Sequence, residues 1–594
     1  MRTVASTTTS LEGFNQRRIS RLRWRRCFRA LTVFVVLSVP VAFVSYQALD
    51  FLARTPRERR MVAKSFWDRV SYGASMNAVM AWNWLTAEQD DPKGSRLPVF
   101  ELYIRKERLN ALKAHLPQSG RVFHPGLFKA RRKGEPNVVL PANLRFRGDS
   151  MNHWAFPQKS WRVKLKRQAR FMDMRQFNLY LPRSKSQIPD FLGYQLAESM
   201  GGMVVPKAFP VHLRLNRNFD GLRVFLEQVN EDFFTNHNLS ADRMLVGDID
   251  FEDVYGNKQR ERLFQGVSGW EITPLHEGGA THATELARLV AAIPLVSTDP
   301  GRFKTELEAV LDVSGTLRYM AYLEIVNSVH VDDTHNQRFF FDTSSQRLRP
   351  IVWDPVAYLR EHSDDIDIGE NELFIAMLQI PEYRDEKNRY VWEALNGPLR
   401  SDRVAELIRA SAEAIRPEVM ASPQKIYTHR INLGILFNSE WKGAVEEVVE
   451  RSQKRNAVLI EALRKVSVQA KGGAKSLPVD EVSVLVGGDA GVAVREFVFD
   501  APERSSRRLS VSISGRGGES RKEIRFDEVR KGFVCSVSDF IASNRRVDKN
   551  GDLIRESGVV TYRVSAEVPE VRLREIHGVN SVTGEAISVG VNRR

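Results

Sequence analysis

The chain reads as an α+β protein behind one membrane-spanning helix and closed by a small all-β, sandwich-like domain. Three observations predict this. Residues 30–49 form an uncharged apolar run (ALTVFVVLSVPVAFVSYQAL). Between 96 and 467, strand-period and helix-period segments mix, and from 478 to 594 short Val/Ser/Thr-rich runs alternate with turn residues.

Composition narrows the function classes. A length of 594 residues at 42% hydrophobic content predicts several folded domains and excludes a mostly disordered chain. Two cysteines exclude a disulfide scaffold and a cysteine zinc cluster. A net charge of +15 would suggest nucleic acid or anionic lipid if it were spread over a folded surface. Residues 1–64, however, hold 13 Lys/Arg against 3 Asp/Glu, which is +10 of that total. The charge is therefore a topology signal, and nucleic acid is not the expected partner.

The apolar run has 20 residues, and at 1.5 Å per residue such a helix spans about 30 Å, the hydrocarbon thickness of a bilayer. Pro40 is tolerated in a membrane helix. Arg17, Arg18, Arg21, Arg23, Arg25, Arg26 and Arg29 precede it; Arg54, Arg57, Arg59, Arg60 and Lys64 follow it. The heavier flank predicts a basic cytoplasmic tail over 1–29, a signal anchor over 30–49 and an extracytoplasmic body. A cleaved signal peptide fits less well, because the run is long and lacks a small-x-small site at its end. Cys27 and Cys535 fall on opposite sides of the span and cannot pair within one chain.

Residues 50–95 read as a helical stalk ending in DDPKGSRLP. FELYIR alternates as a strand and RLNALKAHL follows as a short helix. VVLPANLRFRG and SWRVKLKR read as strands around a polar turn, then QFNLYLP as another. IPDFLGYQLAESMGG is a helix with a glycine stop, and FPVHLRLN with LRVFLEQVN forms a hairpin. LDVSGTLRYMAYLEIVN is helical and leads through VHVDDTHNQRFFFD into LRPIVWDPV, a loop with two apolar strands. Residues 370–465 are mainly helices, with a Ser401/Asp402 cap before one of them.

Two constellations can carry chemistry. In the first, LRFRGDS and QKSWRVKL place a glycine-containing turn and lysines where phosphate oxygens could be cradled. In the second, His330 to Asn336 (HVDDTHN) is followed some twenty residues later by the Trp353-Asp354-Pro355 turn after an apolar strand. Phosphoryl transfer needs a carboxylate to orient the acceptor hydroxyl and oxygen ligands for Mg²⁺. Asp332 or Asp333, Asn336 and Asp354 occur in that order. Competing readings are a transition-metal site through His330 and His335, calcium through Asp332, Asp333 and Asp342, or a plain capping loop with Asp354 in a structural ion pair. There is no G-x-S-x-G, no Walker A motif and no G-x-G-x-x-G in a βα context.

Taken in order, LRFRGDS, QKSWRVKL, FNLYLPRSKSQIPDFLGYQLAESMGG, VHLRLNRNFDGLRVFLEQV, LDVSGTLRYMAYLEIV, DDTHNQRFFFD and PIVWDP resemble the CotH (spore coat protein H) kinase-like family of atypical protein kinases. The resemblance implies a two-lobed kinase-like domain over 96–467 that uses ATP with Mg²⁺ or Mn²⁺. It implies a catalytic role for Asp332 or Asp333 and metal ligation by Asn336 and Asp354. It places Arg147 and Gly148 by the nucleotide phosphates, with Lys159 or Lys164 pairing phosphate. Glu227 would pair with a lysine or sit by the adenine edge.

The chain departs from the family pattern at Arg223, which stands in the register of a tyrosine, at Pro355, and in lacking a second acid after it. The expected function is transfer of the ATP γ-phosphate to Ser/Thr of an envelope or surface protein by a single-pass protein of a bacterial inner membrane. Transfer to a glycan or polyphosphate is a further form of it. The alternative is a catalytically degraded relative that binds or scaffolds.

Overall fold

The structure is a computed structural model. It describes residues 66–592 apart from 89–90, 93, 117, 149–152, 155, 167, 250–261, 278–280, 329, 360–365, 430–431, 473–478, 502–507, 516–517, 529, 548–552, 567 and 569–570. The expected span at 30–49, its basic flanks and Cys27 lie outside the described residues. Among the described residues, no helix is long and apolar enough to cross a membrane.

The stalk contributes one helix, α1 (Phe66–Leu85). Then come β1 (Val99–Tyr103), α2 (Lys106–Lys113), β2 (His124–Arg131), β3 (Val138–Phe146), β4 (Trp161–Leu165) and β5 (Gln176–Tyr180). α3 (Pro189–Met200) precedes the hairpin β6 (Ala208–Leu215) and β7 (Asn218–Glu227). The seven strands close into a barrel in the order β1-β2-β3-β4-β5-β7-β6. Period-2 alternation explains its interior: Trp161, Val163 and Leu165 point inward from β4, and Phe177 and Leu179 from β5. Phe100, Phe128 and Phe177 meet there edge-on or tilted, with Phe100–Phe128 centroids 5.2 Å apart and Phe128–Phe177 centroids 4.9 Å apart. β1 closes the barrel by pairing parallel with β6, Val99 against His212.

The second lobe begins with α4 (Glu231–Asn236), β8 (Ala241–Gly247) and β9 (Trp270–Pro274). It continues through α5 (Thr284–Ala292), α6 (Pro300–Val310), α7 (Val313–Val326), β10 (Gln337–Asp342) and β11 (Arg347–Pro350). β11-β10-β8-β9 form a four-stranded sheet. α8 (Glu372–Gln379), α9 (Pro381–Asn396), α10 (Ser401–Ala421), the hairpin β12 (Ile426–His429) and β13 (Asn432–Ile435), and the long α11 (Trp441–Arg464) complete the lobe. A single core joins these helices to the outer face of β7 through Leu222, Val224 and Leu226. The barrel thus packs inward on one core and outward on another. At α10 the expected Ser401/Asp402 cap is not made. The N-cap is Arg400, whose side chain Asp402 binds at 2.6 Å from within the first turn.

The C-terminal domain comprises β14 (Val466–Gly472), β15 (Val479–Gly488), β16 (Val492–Asp500), β17 (Arg508–Gly515), β18 (Gly518–Asp527) and β19 (Gly532–Ile541). The hairpin β20 (Asn544–Val547) and β21 (Leu553–Glu556) follows, then β22 (Gly558–Ala566), β23 (Arg572–Asn580) and β24 (Ala586–Asn592). Its nine-stranded sheet closes on itself, since β14 pairs parallel with β24. The expected sandwich is therefore a closed barrel. Alternating Val-rich strands suit both folds, and only the pairing of first with last strand separates them. β14, which begins at Val466, is already part of this closed sheet. Cys535 is buried in this barrel and free.

Candidate active site

Asp354 follows β11 on a turn where its backbone is left-handed (φ 49°), a conformation that a non-glycine residue adopts rarely. Two features hold it there. The Tyr194 hydroxyl accepts from the Asp354 N–H at 3.1 Å. Gly193, inside α3, lets the turn press against the helix; a Cβ at that position would lie 1.6 Å from the Pro355 carbonyl oxygen.

Asp354 is the hub of the cleft. Its Oδ1 accepts from Arg183 Nη2, and its Oδ2 lies 2.9 Å from His330 Nδ1 and 3.4 Å from Asn336 Nδ2. Arg183 is itself braced by Asp190 of α3, which accepts from the Arg183 backbone N–H at 2.9 Å and from Nε at 3.2 Å. Partial burial would raise the Asp354 pKa, but the Arg183 charge and the His330 hydrogen bond outweigh it and hold the carboxyl well below the usual carboxylate range. Asn336, also left-handed (φ 62°), donates from Nδ2 to the His330 carbonyl at 2.8 Å. Its backbone N–H donates to Asp248 Oδ1 at 3.2 Å.

Two further guanidiniums feel the Asp354 charge, Arg147 and Arg338. Arg147 lies over the Tyr180 ring at 5.1 Å, and Arg338 lies over Trp353 at 4.1 Å. The Nε atoms of both are buried without a hydrogen-bond partner. Buried donors of this kind normally find an acceptor. Arg183 alone binds the Asp354 carboxylate; Arg338 feels Asp248 more than Asp354, and both Arg147 and Arg338 retain unused donors.

The loop acids occupy different positions. Asp332 Oδ1 closes an Asx turn, accepting from Thr334 N at 2.8 Å, Thr334 Oγ1 at 2.8 Å and His335 N at 2.7 Å. Burial would raise its pKa, but these bonds with His335 and Thr334 lower it overall. Asp333 turns to Arg262, 2.5 Å away. Of the two, Asp332 is thus fixed within the loop that carries His330 and Asn336, and Asp333 is engaged by an arginine outside that loop.

The remaining expected residues separate from this hub. Gly148 (φ 91°) is required where it stands, since a Cβ would meet the His153 ring at 2.1 Å. Lys159 Nζ is held by the carbonyl oxygens of Trp154 and Phe156, and burial pushes its pKa down to about 7. Lys164 is exposed on the outward face of β4. Neither lysine contacts Asp354; Arg183 fills that role instead. Arg223, standing where a tyrosine was expected, is fully buried. It donates to the Lys159 carbonyl at 2.9 Å and to Asp220 at 2.6 Å, so it shapes the same loop. Glu227 pairs with no lysine side chain. Its Oε2 accepts from the Lys207 N–H at 3.0 Å and meets His237 Nε2 at 3.0 Å.

Sequence reasoning did not single out Arg183, Asp190, Tyr194, Asp248 or Arg338. Their usable signals were modest: a glycine inside an apolar helix marks a close approach, and an arginine directly ahead of the three phenylalanines of QRFFFD marks a cation held near the core.

Among the described residues, no cluster of three or more His, Cys, Asp or Glu side chains could hold a metal by itself. Asp354 and Asp248 nonetheless offer carboxylate oxygens on either side of Asn336, whose Nδ2 faces Asp354 and whose backbone N–H faces Asp248. Such a set suits Mg²⁺ when phosphate oxygens complete the coordination.

The chain is similar to proteins already known. A family model described as CotH kinase protein matches residues 144–459. Inner spore coat protein H of Bacillus subtilis (strain 168) is 23% identical over 345 residues, which cover 56% of this chain and 90% of that protein.

Proposed function

From the premise that the chain belongs to the CotH kinase protein family, we propose that it transfers the γ-phosphate of ATP to a hydroxyl acceptor. The observation that carries this reading is a pair of buried guanidinium donors in the cleft with no acceptor. Arg183 binds Asp354, while Arg147 and Arg338, which feel the charges of Asp354 and Asp248, keep buried and unpaired Nε atoms. A polyphosphate supplies the acceptors they lack.

Each residue then has a role. Arg147 and Arg338 bind phosphate oxygens. Asp354 and Asn336, with Asp248 beside them, would hold Mg²⁺, which when bound neutralises the phosphate charge that develops during transfer. Asp248 takes the place of the acid missing after Pro355. Arg183 and His330 orient Asp354. Asp332 Oδ2, the carboxylate oxygen outside the Asx turn, accepts the proton of the attacking hydroxyl. Barrel and helical lobe together exclude water from the cleft. The acceptor is proposed to be Ser/Thr of an envelope or surface protein. The protein is proposed to be anchored in the inner membrane by residues 30–49, with its folded domains outside.

Nucleotide-dependent stabilisation of the full chain tests this reading. Saturating ATP or ADP with Mg²⁺ or Mn²⁺ is expected to raise the melting temperature, and Arg147→Met to abolish the rise. No rise with either nucleotide and either metal ends the kinase reading. A rise without phosphate transfer favours the binding or scaffolding alternative.

A further inference from the structure

Helix α1 is fastened at its C-terminal end by one buried side chain. Asn83 Nδ2 donates to the carbonyls of Pro423 at 3.1 Å and Leu436 at 2.8 Å, and its Oδ1 accepts from Asn438 N at 2.9 Å. With 3.6 residues per turn, fixing Asn83 inward turns its sequence neighbours outward. Trp82, Trp84 and Leu85 are 54%, 53% and 46% exposed. They continue an exposed stripe of Ala74, Ala78 and Ala81 at helical spacing. The sequence from Val70 to Leu85 carries no charge at all. A water-facing helix normally puts charge on this side, so the stripe calls for a cover.

Two facts identify the cover. Sixteen residues separate Leu49 from Phe66, which at about 3.5 Å each keeps α1 within roughly 55 Å of the end of the apolar run. Those sixteen include Arg54, Arg57, Arg59, Arg60 and Lys64 against Asp50 and Glu58. A polybasic segment ahead of the helix and an exposed tryptophan pair at its far end, about 27 Å along it, together match the chemistry of an anionic phospholipid surface lying along the helix, where indole rings settle at headgroup level.

We propose that the Ala74–Leu85 stripe of α1 lies in the interface of the bilayer and, through Asn83, holds the kinase-like domain against it. The proposal rests on the anchored reading of residues 30–49.

The test uses the full chain with Cys27→Ser, leaving Cys535 buried, reconstituted in nanodiscs of phosphatidylcholine and phosphatidylglycerol. An environment-sensitive fluorophore is placed singly by Trp84→Cys, Leu85→Cys, Ala42→Cys or Glu528→Cys. Labels at 84 and 85 are expected to shift to the blue and to be quenched by shallow-doxyl lipids several-fold more than the label at 528. The label at 42 is expected to be quenched by deep-doxyl lipids. If 42 is quenched while 84 and 85 behave like 528, the interfacial inference is overturned and the anchor stands. If none is quenched, both fall. Labels at 84 and 85 that report another protein copy instead of lipid would also overturn the proposal, because a second copy would then be the cover.

Discussion

Asp354 and Asp367 stand near the two ends of one connection between β11 and α8, yet their surroundings differ. Both backbones are left-handed, at φ 49° and 68°. Both carboxyls are held below their ordinary pKa by cations against the cost of burial. Asp354 remains 22% exposed, and orphan donors of Arg147 and Arg338 lie near it. Asp367 is 2% exposed, and Lys387 at 2.7 Å and Arg545 at 2.9 Å saturate it. Lys387 also reaches Glu324 at 2.6 Å, and Arg545 reaches Asp489 at 2.7 Å. The second network therefore ties α7, just ahead of the HVDDTHN loop, to the C-terminal barrel. A strained acid with unused donors around it can bind something; a strained acid with every partner present holds the structure together.

Four substitutions would break or sharpen that contrast. The largest effect is expected at Asp354→Asn: phosphate transfer per folded molecule falls by about 10²–10³-fold or more, well beyond the stability lost with the Arg183 and His330 contacts. Labelled-ATP assays alongside melting curves check both halves. Arg545→Leu should do the opposite. Leaving Asp367 short of a partner in a buried network costs about 3–5 kcal/mol in denaturant titration, with the activity per folded molecule largely kept. Gly193→Ala should lie between them, lowering activity more than stability, because the new Cβ displaces the turn that carries Asp354. The smallest effect on nucleotide binding is expected at Lys159→Met. Its Nζ is held by loop carbonyls, so the affinity for Mg-ATP should stay near wild type where Arg147→Met lowers it.

Acid titration extends the comparison. Asp367 is held at about pKa 2, against about 3.9 in an unfolded chain. A depressed carboxyl contributes stability that is complete above the unfolded value and is lost as pH falls through the folded value. The contribution, about 2–3 kcal/mol by linkage, should therefore disappear between about pH 4 and pH 2. Asp367→Asn should flatten the fall in melting temperature across that window, and an unchanged slope would remove Asp367 from the role.

Local patterns in the sequence were legible where one residue period decides the outcome. The alternation of Trp161, Val163 and Leu165 and the stripe of α11 both translate into the observed elements. Of the acid, amide and acid read in order from Asp332 to Asp354, the structure brings Asn336 and Asp354 together and holds Asp332 within its own loop. What could not be read depends on distant pairing. Barrel closure rests on Val99 meeting His212, and the C-terminal closure on Ala470 meeting Val591. β2 (HPGLFKAR) looks like a turn because of its proline and glycine, and only pairing on both edges makes it a strand. Arg183 sits in a PRSKS turn that resembles a solvated loop; its role appears only when Asp354, 171 positions away, folds onto it. Glu324, Lys387 and Arg545 look like surface charge, and docking of the C-terminal barrel is what buries them.

The most direct measurement is transfer of the labelled γ-phosphate from ATP by the full chain, comparing wild type, Asp354→Asn and Arg545→Leu at a temperature where all three are folded. The expected result is loss of transfer in Asp354→Asn alone. Equal transfer by wild type and Asp354→Asn would contradict the assignment of Asp354 and its arginines as the phosphate-transfer site.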